Sequence, residues 1–475
     1  MLRIVRPFAL LSLAAALAAC GSAPVGPDYQ VPPEALVSQP AAGQPFAGAQ
    51  AAPFASAPLP QDWWRLWHDP VVDRLVGQAL VHNTDLRQAV ANLERLQAVE
   101  AEVGGARKPA IGVSGGPSYG HVSGLSLLQK DYVPPNAVHY GATVSLSYQV
   151  DVVGQIRRAI EAAEAGSAGA QAAVDLVRVN VAAATARAYA EACTSGLRLQ
   201  AARKSVQLQR EALDVTERLQ QAGRAGSIDA ARARAQLQQL NAALPPLAAA
   251  RQGALYRLAT LTGALPQDFP RDVAACETAP QVAGAIPVGD GAALLRRRPD
   301  VRQAERALAE ATARIGVAVG ELYPKVALGL SAGSVGAASG LGHADTFSWS
   351  LGPLISWTLP NTGVAQARIA HAEAGTRAAL ARFDGTVLTA LRETETALTV
   401  YAHELDRRAA LQAARDDSAA VAAQARQLYQ NGKTGYLDAL DAERVMAASE
   451  AALAASQAQL ADDQVSVFLA LGGGW

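Results

Sequence analysis

Three cysteines and seven histidines are the residue types from which a metal centre or a nucleophilic site would be built, yet none stands at a spacing that would build one. Cys193 and Cys276 are far apart in the chain and belong to no C-x-x-C pair. In an oxidising compartment they would form a disulfide or stay as two thiols, and both alternatives stand until their separation in space is known. With Met1 and Met446 as the only methionines, no soft-metal path can be drawn. No G-x-x-x-x-G-K-[ST] loop, zinc motif or activated serine is present, so no catalytic residue, metal or cofactor is expected. The run Arg296-Arg297-Arg298 could attract a polyanion. It also leads into Pro299-Asp300, a helix start at which an aspartate caps or complements the dipole.

Cys20 has a different setting. Arg3 and Arg6 precede an apolar run from Phe8 to Leu17, and the small residues Ala18 and Ala19 follow. This reads as a secretory signal, too short to span a membrane as a stable helix. Leu17-Ala18-Ala19-Cys20 resembles the bacterial lipobox, whose cysteine becomes the mature N-terminus and carries lipid, palmitate included; an ordinary signal peptide that happens to hold a cysteine is the alternative. Gly21 is not the aspartate that would resemble an inner-membrane retention signal, so the lipobox resemblance alone implies sorting to the outer membrane. A formal net charge of -1 gives no attraction to nucleic acid. Half of the residues are hydrophobic but only 5% are aromatic, and alanine dominates, a composition for close helix packing in thin walls.

The elements that carry these residues are written twice. Asp85-Leu86-Arg87-Gln88-Ala89 recurs as Asp300-Val301-Arg302-Gln303-Ala304, Pro109 as Pro324, and Glu164-Ala165-Gly166 as Glu373-Ala374-Gly375. Leu219 to Ala230 recurs as Leu428 to Ala439. The expected division is a signal peptide at 1–19, an extended lipid-anchored tether at 20–61, repeats at 62–266 and 291–475, and a linker at 267–290. The tryptophans of Asp62 to Pro70 read as an anchor onto the body, with interfacial lipid contact as the alternative. Each repeat predicts a helix (Val71 to Arg107; Ala292 to Leu322) stopped by Pro109 or Pro324, then a hairpin, a very long helix, a Gly-bounded turn and another helix.

In the hairpins, Ala142, Val144, Leu146, Tyr148 and Val150 alternate with small polar residues. Phe347, Trp349, Leu351, Ile355, Trp357 and Leu359 do so against Ser348, Ser350, Gly352, Ser356 and Thr358. Such alternation fits a transmembrane barrel strand, or a soluble sheet half-buried on helices. Four strands cannot close a barrel, so spanning strands would have to be shared between chains. The helical pattern runs unbroken from Gly154 to Gln221 and from Gly363 to Gln430, roughly 100 Å each at helical rise. Pro245-Pro246 should interrupt the return helix of the first repeat.

These features together resemble the outer-membrane efflux lipoproteins of the TolC-like channel family, the NodT-type exit ducts of tripartite resistance-nodulation-division pumps. The resemblance is carried by the lipobox, Val25-Gly26-Pro27-Asp28-Tyr29, Asp62 to Pro70, and above all Leu294-Leu295-Arg296-Arg297-Arg298-Pro299-Asp300-Val301. Ala311 to Ala318 and Tyr323-Pro324 extend that block. It implies an α+β membrane fold in which each chain gives four strands to a trimeric 12-stranded β-barrel, continuous with a long periplasmic α-helical barrel, with a mixed belt near 267–290. It implies a periplasmic adaptor, an inner-membrane pump and outer-membrane lipid as partners. The function implied is passive exit of drugs or other small toxic solutes, as in multidrug resistance. A lipid-anchored helical scaffold without a pore and a protein-secretion duct are the alternatives. The turns Gly223-Arg224-Ala225-Gly226 and Gly432-Lys433-Thr434-Gly435 resemble the family's adaptor-docking tips. Near the second tip, Asp416, Asp417, Arg426 and Tyr429 are gate candidates, since charge repeated by symmetry can form breakable rings or select cations. The repeat sets Asp416 opposite Gln207 and Arg426 opposite Glu217, so the two tips differ in charge.

Overall fold

A computed structural model describes residues 24–49, 53–357 and 362–473. Cys20 with its lipobox, and Thr358 and Leu359 of the expected fourth strand, lie outside the described residues. In chain order the elements are β1 (Phe54–Ala55), α1 (Pro70–His82), α2 (Thr84–Gly104), β2 (Ala110–Gly120), β3 (Ala137–Val150), α3 (Gln155–Gln221), α4 (Ser227–Ala242) and α5 (Leu244–Leu261). The second repeat adds β4 (Ile286–Pro287), α6 (Gly291–Arg297), α7 (Pro299–Gly320), β5 (Lys325–Ala337), β6 (Phe347–Ser356), α8 (Thr362–Gln430) and α9 (Tyr436–Ala470).

The two long helices, α3 with 67 residues and α8 with 69, have the expected limits. Neither contains proline, and threonines within them return their hydroxyls to the carbonyl four residues back, as Thr185 and Thr394 do. The helix expected over 71–107 is two helices, because Asn83 caps a new start. Its Oδ1 accepts from the amides of Asp85 and Leu86, and its amide nitrogen donates to the Leu261 carbonyl. The helix expected over 292–322 likewise breaks at Arg298, which the following Pro299 forces into extended backbone. In the first repeat the return helix is interrupted at Ala243, with Pro245 in the first turn of α5. No such break occurs in α9.

The chain forms two compact units. The first takes residues up to Val31, Glu94–Gly169 and Glu305–Ala381; the second takes Pro32–Leu93, Ala170–Ala304 and Arg382–Trp475. The first unit holds a four-stranded antiparallel sheet in the order β2-β3-β5-β6, so the two hairpins are joined through β3 and β5. In the second unit Trp63 is fully buried, stacks on Phe468 at 4.5 Å, and meets Trp64 and Trp67 edge-on. The tryptophan cluster is therefore an internal anchor and makes no lipid contact. The segment expected to be an extended tether instead runs as short 3-10 turns, because Ala35, Phe46 and Leu59 find buried positions. Its amides are held by distant carboxylates, Leu36 by Asp384 and Gly48 by Glu395. Cys193 and Cys276 are joined in a disulfide that ties the segment before β4 to α3. A side chain at Gly196 would sit 2.1 Å from the Cys276 carbonyl oxygen, so only glycine allows this approach.

Candidate functional site

Sheet register sorts the strand residues into two chemically distinct faces. On one face Trp349, Ala332, Val144 and Val113 form a row across the four strands, and Leu351, Leu330, Leu146 and Ile111 form the next. Ile355, Val326 and Val150 extend this band along three strands. On the other face the corresponding rows are Ser348, Gly333, Thr143 and Ser114, then Ser350, Ser331, Ser145 and Gly112. Ser331 and Ser350 share a hydrogen bond at 2.8 Å. A one-residue slip in any strand would mix the faces, so the pattern and the register specify one another. Ile111 is 73% exposed and Leu351 is 70% exposed, so the apolar face is uncovered among the described residues. Within the strands, the small-residue face carries His139 and Lys325 as its only ionisable groups. β2 and β6 each have an outer edge without a strand partner among the described residues. In lipid such edges must be paired with other strands.

The two helix-to-helix turns are conformational copies. At the first, the Arg224 amide donates to the Leu219 carbonyl and the Gly223 amide to that of Gln220; at the second, Lys433 donates to Leu428 and Gly432 to Tyr429. Gly223 (φ 71°) and Gly432 (φ 68°) take the left-handed backbone that ends a helix in this way. Each return helix starts with an acid in its first turn, Asp229 or Asp438. Arg224 and Lys433 are exposed, as are Gly226 and Gly435, while Ala225 and Thr434 are half-buried.

The gate candidates divide into two sets. Asp416 and Asp417 are exposed on α8; Asp416 accepts from Gln412 and from Arg415 at 2.8 Å, and these bonds hold its carboxyl below the usual carboxylate range. Tyr429 instead belongs to a small packed core with Tyr436, Ala439, Leu440 and Ala233, and Arg426 is half-buried. The Tyr429 ring lies 5.5 Å from Tyr436, and its hydroxyl donates to Thr216 of α3 at 3.4 Å. Arg426 pairs with Glu443 of α9 at 3.0 Å. In the first repeat Glu217 pairs with Arg234 of α4 at 2.9 Å. Arg426 occupies the repeat position of Glu217 and Glu443 that of Arg234, so the same ion pair is present twice with its polarity reversed. Sequence reasoning found the first half of this exchange but missed Arg234, Thr216, Tyr436 and Glu443. Carrying the repeat alignment into the return helices finds the ion-pair partners.

The arginine run is structural. Arg298 is buried; it forks onto Asp300, pairs with Glu393 at 2.9 Å and donates to the Ala470 carbonyl. Arg297 donates to the Leu471 carbonyl. Two guanidinium groups thus serve the C-terminal end of α9, which leaves Arg296 as the exposed member and gives a polyanion no cluster to bind. No group of metal-binding side chains occurs among the described residues, and no described helix is long and apolar enough to cross a membrane.

The family model described as outer membrane efflux protein matches residues 75–264 and 292–473. Nodulation protein T of Rhizobium leguminosarum bv. viciae is 28% identical over 455 residues, spanning 95% of this chain and 90% of that protein. The solvent efflux pump outer membrane protein SrpC of Pseudomonas putida is 29% identical over 487 residues, spanning 98% and 97%. The solved outer-membrane channel OprN superposes with a TM-score of 0.88 at 33% identity, covering 95% of this chain and 99% of that one. Two repeats that match one family model, and a sheet with one face made for lipid and the other for water, lead to one assignment. The chain belongs to the outer membrane efflux protein family, with the TolC-like channel fold, and is the outer-membrane channel of an efflux pump, not an enzyme.

Proposed function

We propose that three copies of this chain share one 12-stranded barrel and form a passive exit duct for drugs, solvents or other small toxic solutes. The observation that carries the reading is the two-faced sheet: an uncovered apolar band, a face of serine, glycine and threonine, and two outer edges awaiting strands. Eight strands would leave an interior largely filled by side chains, whereas twelve leave a lumen. A wall of small hydroxyls limits solutes by size more than by charge, which suits a broad range of cargo. In this reading Cys20 carries the lipid, and residues 62–266 and 291–475 supply two similar wall segments joined by 267–290. The tips at 223–226 and 432–435 dock the periplasmic adaptor of an inner-membrane pump, with Arg224 and Lys433 as polar contacts. The exposed Asp416 and Asp417, repeated three times, would ring the entrance, and the Arg426 and Tyr429 contacts would be those that yield when it opens.

One pair of substitutions tests the wall. An arginine on the lipid face costs about 2–4 kcal/mol at mid-membrane depth. Leu351→Arg should therefore reduce insertion into bilayers, while Ser350→Arg inserts normally and lowers single-channel conductance. Equal insertion of the two variants with unchanged conductance in planar bilayers would remove the assignment of the faces.

A further inference from the structure

The segment just after Cys20 is held far more tightly than a flexible leash would need. Arg158, in the first turn of α3, has a side chain only 4% exposed. Its Nε donates to the Val25 carbonyl at 3.0 Å, and Nη2 donates to the Gly26 carbonyl at 3.1 Å and to Asp28 at 2.7 Å. Nη1 is taken by Glu161 at 2.7 Å. The Val25 amide adds a bond to the Val153 carbonyl at the β3–α3 junction, and the Tyr29 hydroxyl donates to Glu305. A buried guanidinium is tolerated only when its donors all find acceptors, so Arg158 favours the strapped arrangement strongly over a loose one.

Three glycines make room for the strap. A Cβ on Gly26, which sits at φ 82°, would lie 2.5 Å from Gly316 Cα. One on Gly316 would meet Arg158 Cγ at 2.6 Å, and one on Gly154, at φ 76°, would meet Pro24 at 2.6 Å. The contact is thus specified from both sides, by the arginine and by the absence of side chains.

We propose that Arg158 is a positioning residue that fixes the length of the lipid leash, clasping residues 25–28 so that a lipid on Cys20 is held close to the foot of β3. The proposal rests on the reading of Cys20 as the lipidated residue. Only four residue steps separate Cys20 from Pro24. A fully extended chain of that length reaches about 14 Å. The lipid and the periplasmic ends of the strands therefore enter one leaflet together, and strand insertion becomes an intramolecular event. Its effective concentration falls steeply as the leash lengthens.

The test uses the full chain, labelled with palmitate in cells and assayed for the rate at which strands become protease-protected in vesicles of phosphatidylethanolamine and phosphatidylglycerol. Arg158→Gln opens the clasp. An insertion of about ten Gly and Ser residues between Ala23 and Pro24 keeps the clasp but adds roughly 16–19 Å of reach. Both variants should keep the palmitate label and co-sediment with membrane, yet gain protease protection several-fold more slowly. Slow protection by Arg158→Gln alone, with the insertion variant at the wild-type rate, would show that the clasp only packs the N-terminus and would overturn the proposal. Wild-type rates in both would overturn it as well. A wild type that takes no label would end the proposal through its premise, and that failure is distinct because it is read before any vesicle is added.

Discussion

Arg426 and Glu443 make a pair whose value can be measured against a copy the chain already contains. Reversing one member of this 3.0 Å pair, as in Arg426→Glu or Glu443→Arg, sets like charges against one another and should lower stability by about 1 kcal/mol. The double variant Arg426→Glu/Glu443→Arg reproduces the arrangement of Glu217 and Arg234 and should recover most of the loss, read as the midpoint of thermal unfolding. Burial raises the Glu443 carboxyl above the usual range, and Arg426 only partly counters it. The folded chain thus holds this proton more tightly than the unfolded one. Stability from this residue falls as pH rises from the ordinary value of 4.5 to the raised value, and is level above it. Glu443→Gln should flatten that part of the pH profile.

The elements show which parts of the fold were legible in the sequence. The long helices were, because an absence of proline over so many alanine-rich residues leaves no other regular structure, and the turns were, because glycine brackets them. The break at Asn83 was not, because it is fixed partly by a carbonyl from α5. At Arg298 the start at Pro299-Asp300 was legible, but the continuous apolar pattern across it hid that the preceding helix ends there. Gly432→Val should strain the αL position by about 1–2 kcal/mol. Its effect should be local, read as faster amide exchange at the start of α9, where a global loss of structure would contradict the view of the tip as a simple reversal. The disulfide closes a loop of sequence separation 83. Cys193→Ser should cost about 2–4 kcal/mol, seen as a lowered denaturation midpoint equal to that of the reduced wild type.

For the molecule as a whole, the sequence disclosed that strands alternate but not how the hairpins join, since pairing of β3 with β5 is a contact between repeats. It disclosed the arginine run but not its purpose, because the carbonyls it serves belong to the end of α9, some 170 residues on. The Val25 to Tyr29 motif was visible as a family mark; that it is a strap depends on Arg158 and Gly316, residues no local pattern links to it. Internal duplication also creates a hazard during folding, because either long helix resembles a suitable mate for either return helix. The reversed ion pair answers it. If α3 took α9 as its mate, Glu217 would face Glu443, and α8 with α4 would set Arg426 against Arg234, so both wrong unions repel where both right ones attract. The two halves thereby carry opposite keys, which bias each long helix toward its own return helix by about 1 kcal/mol.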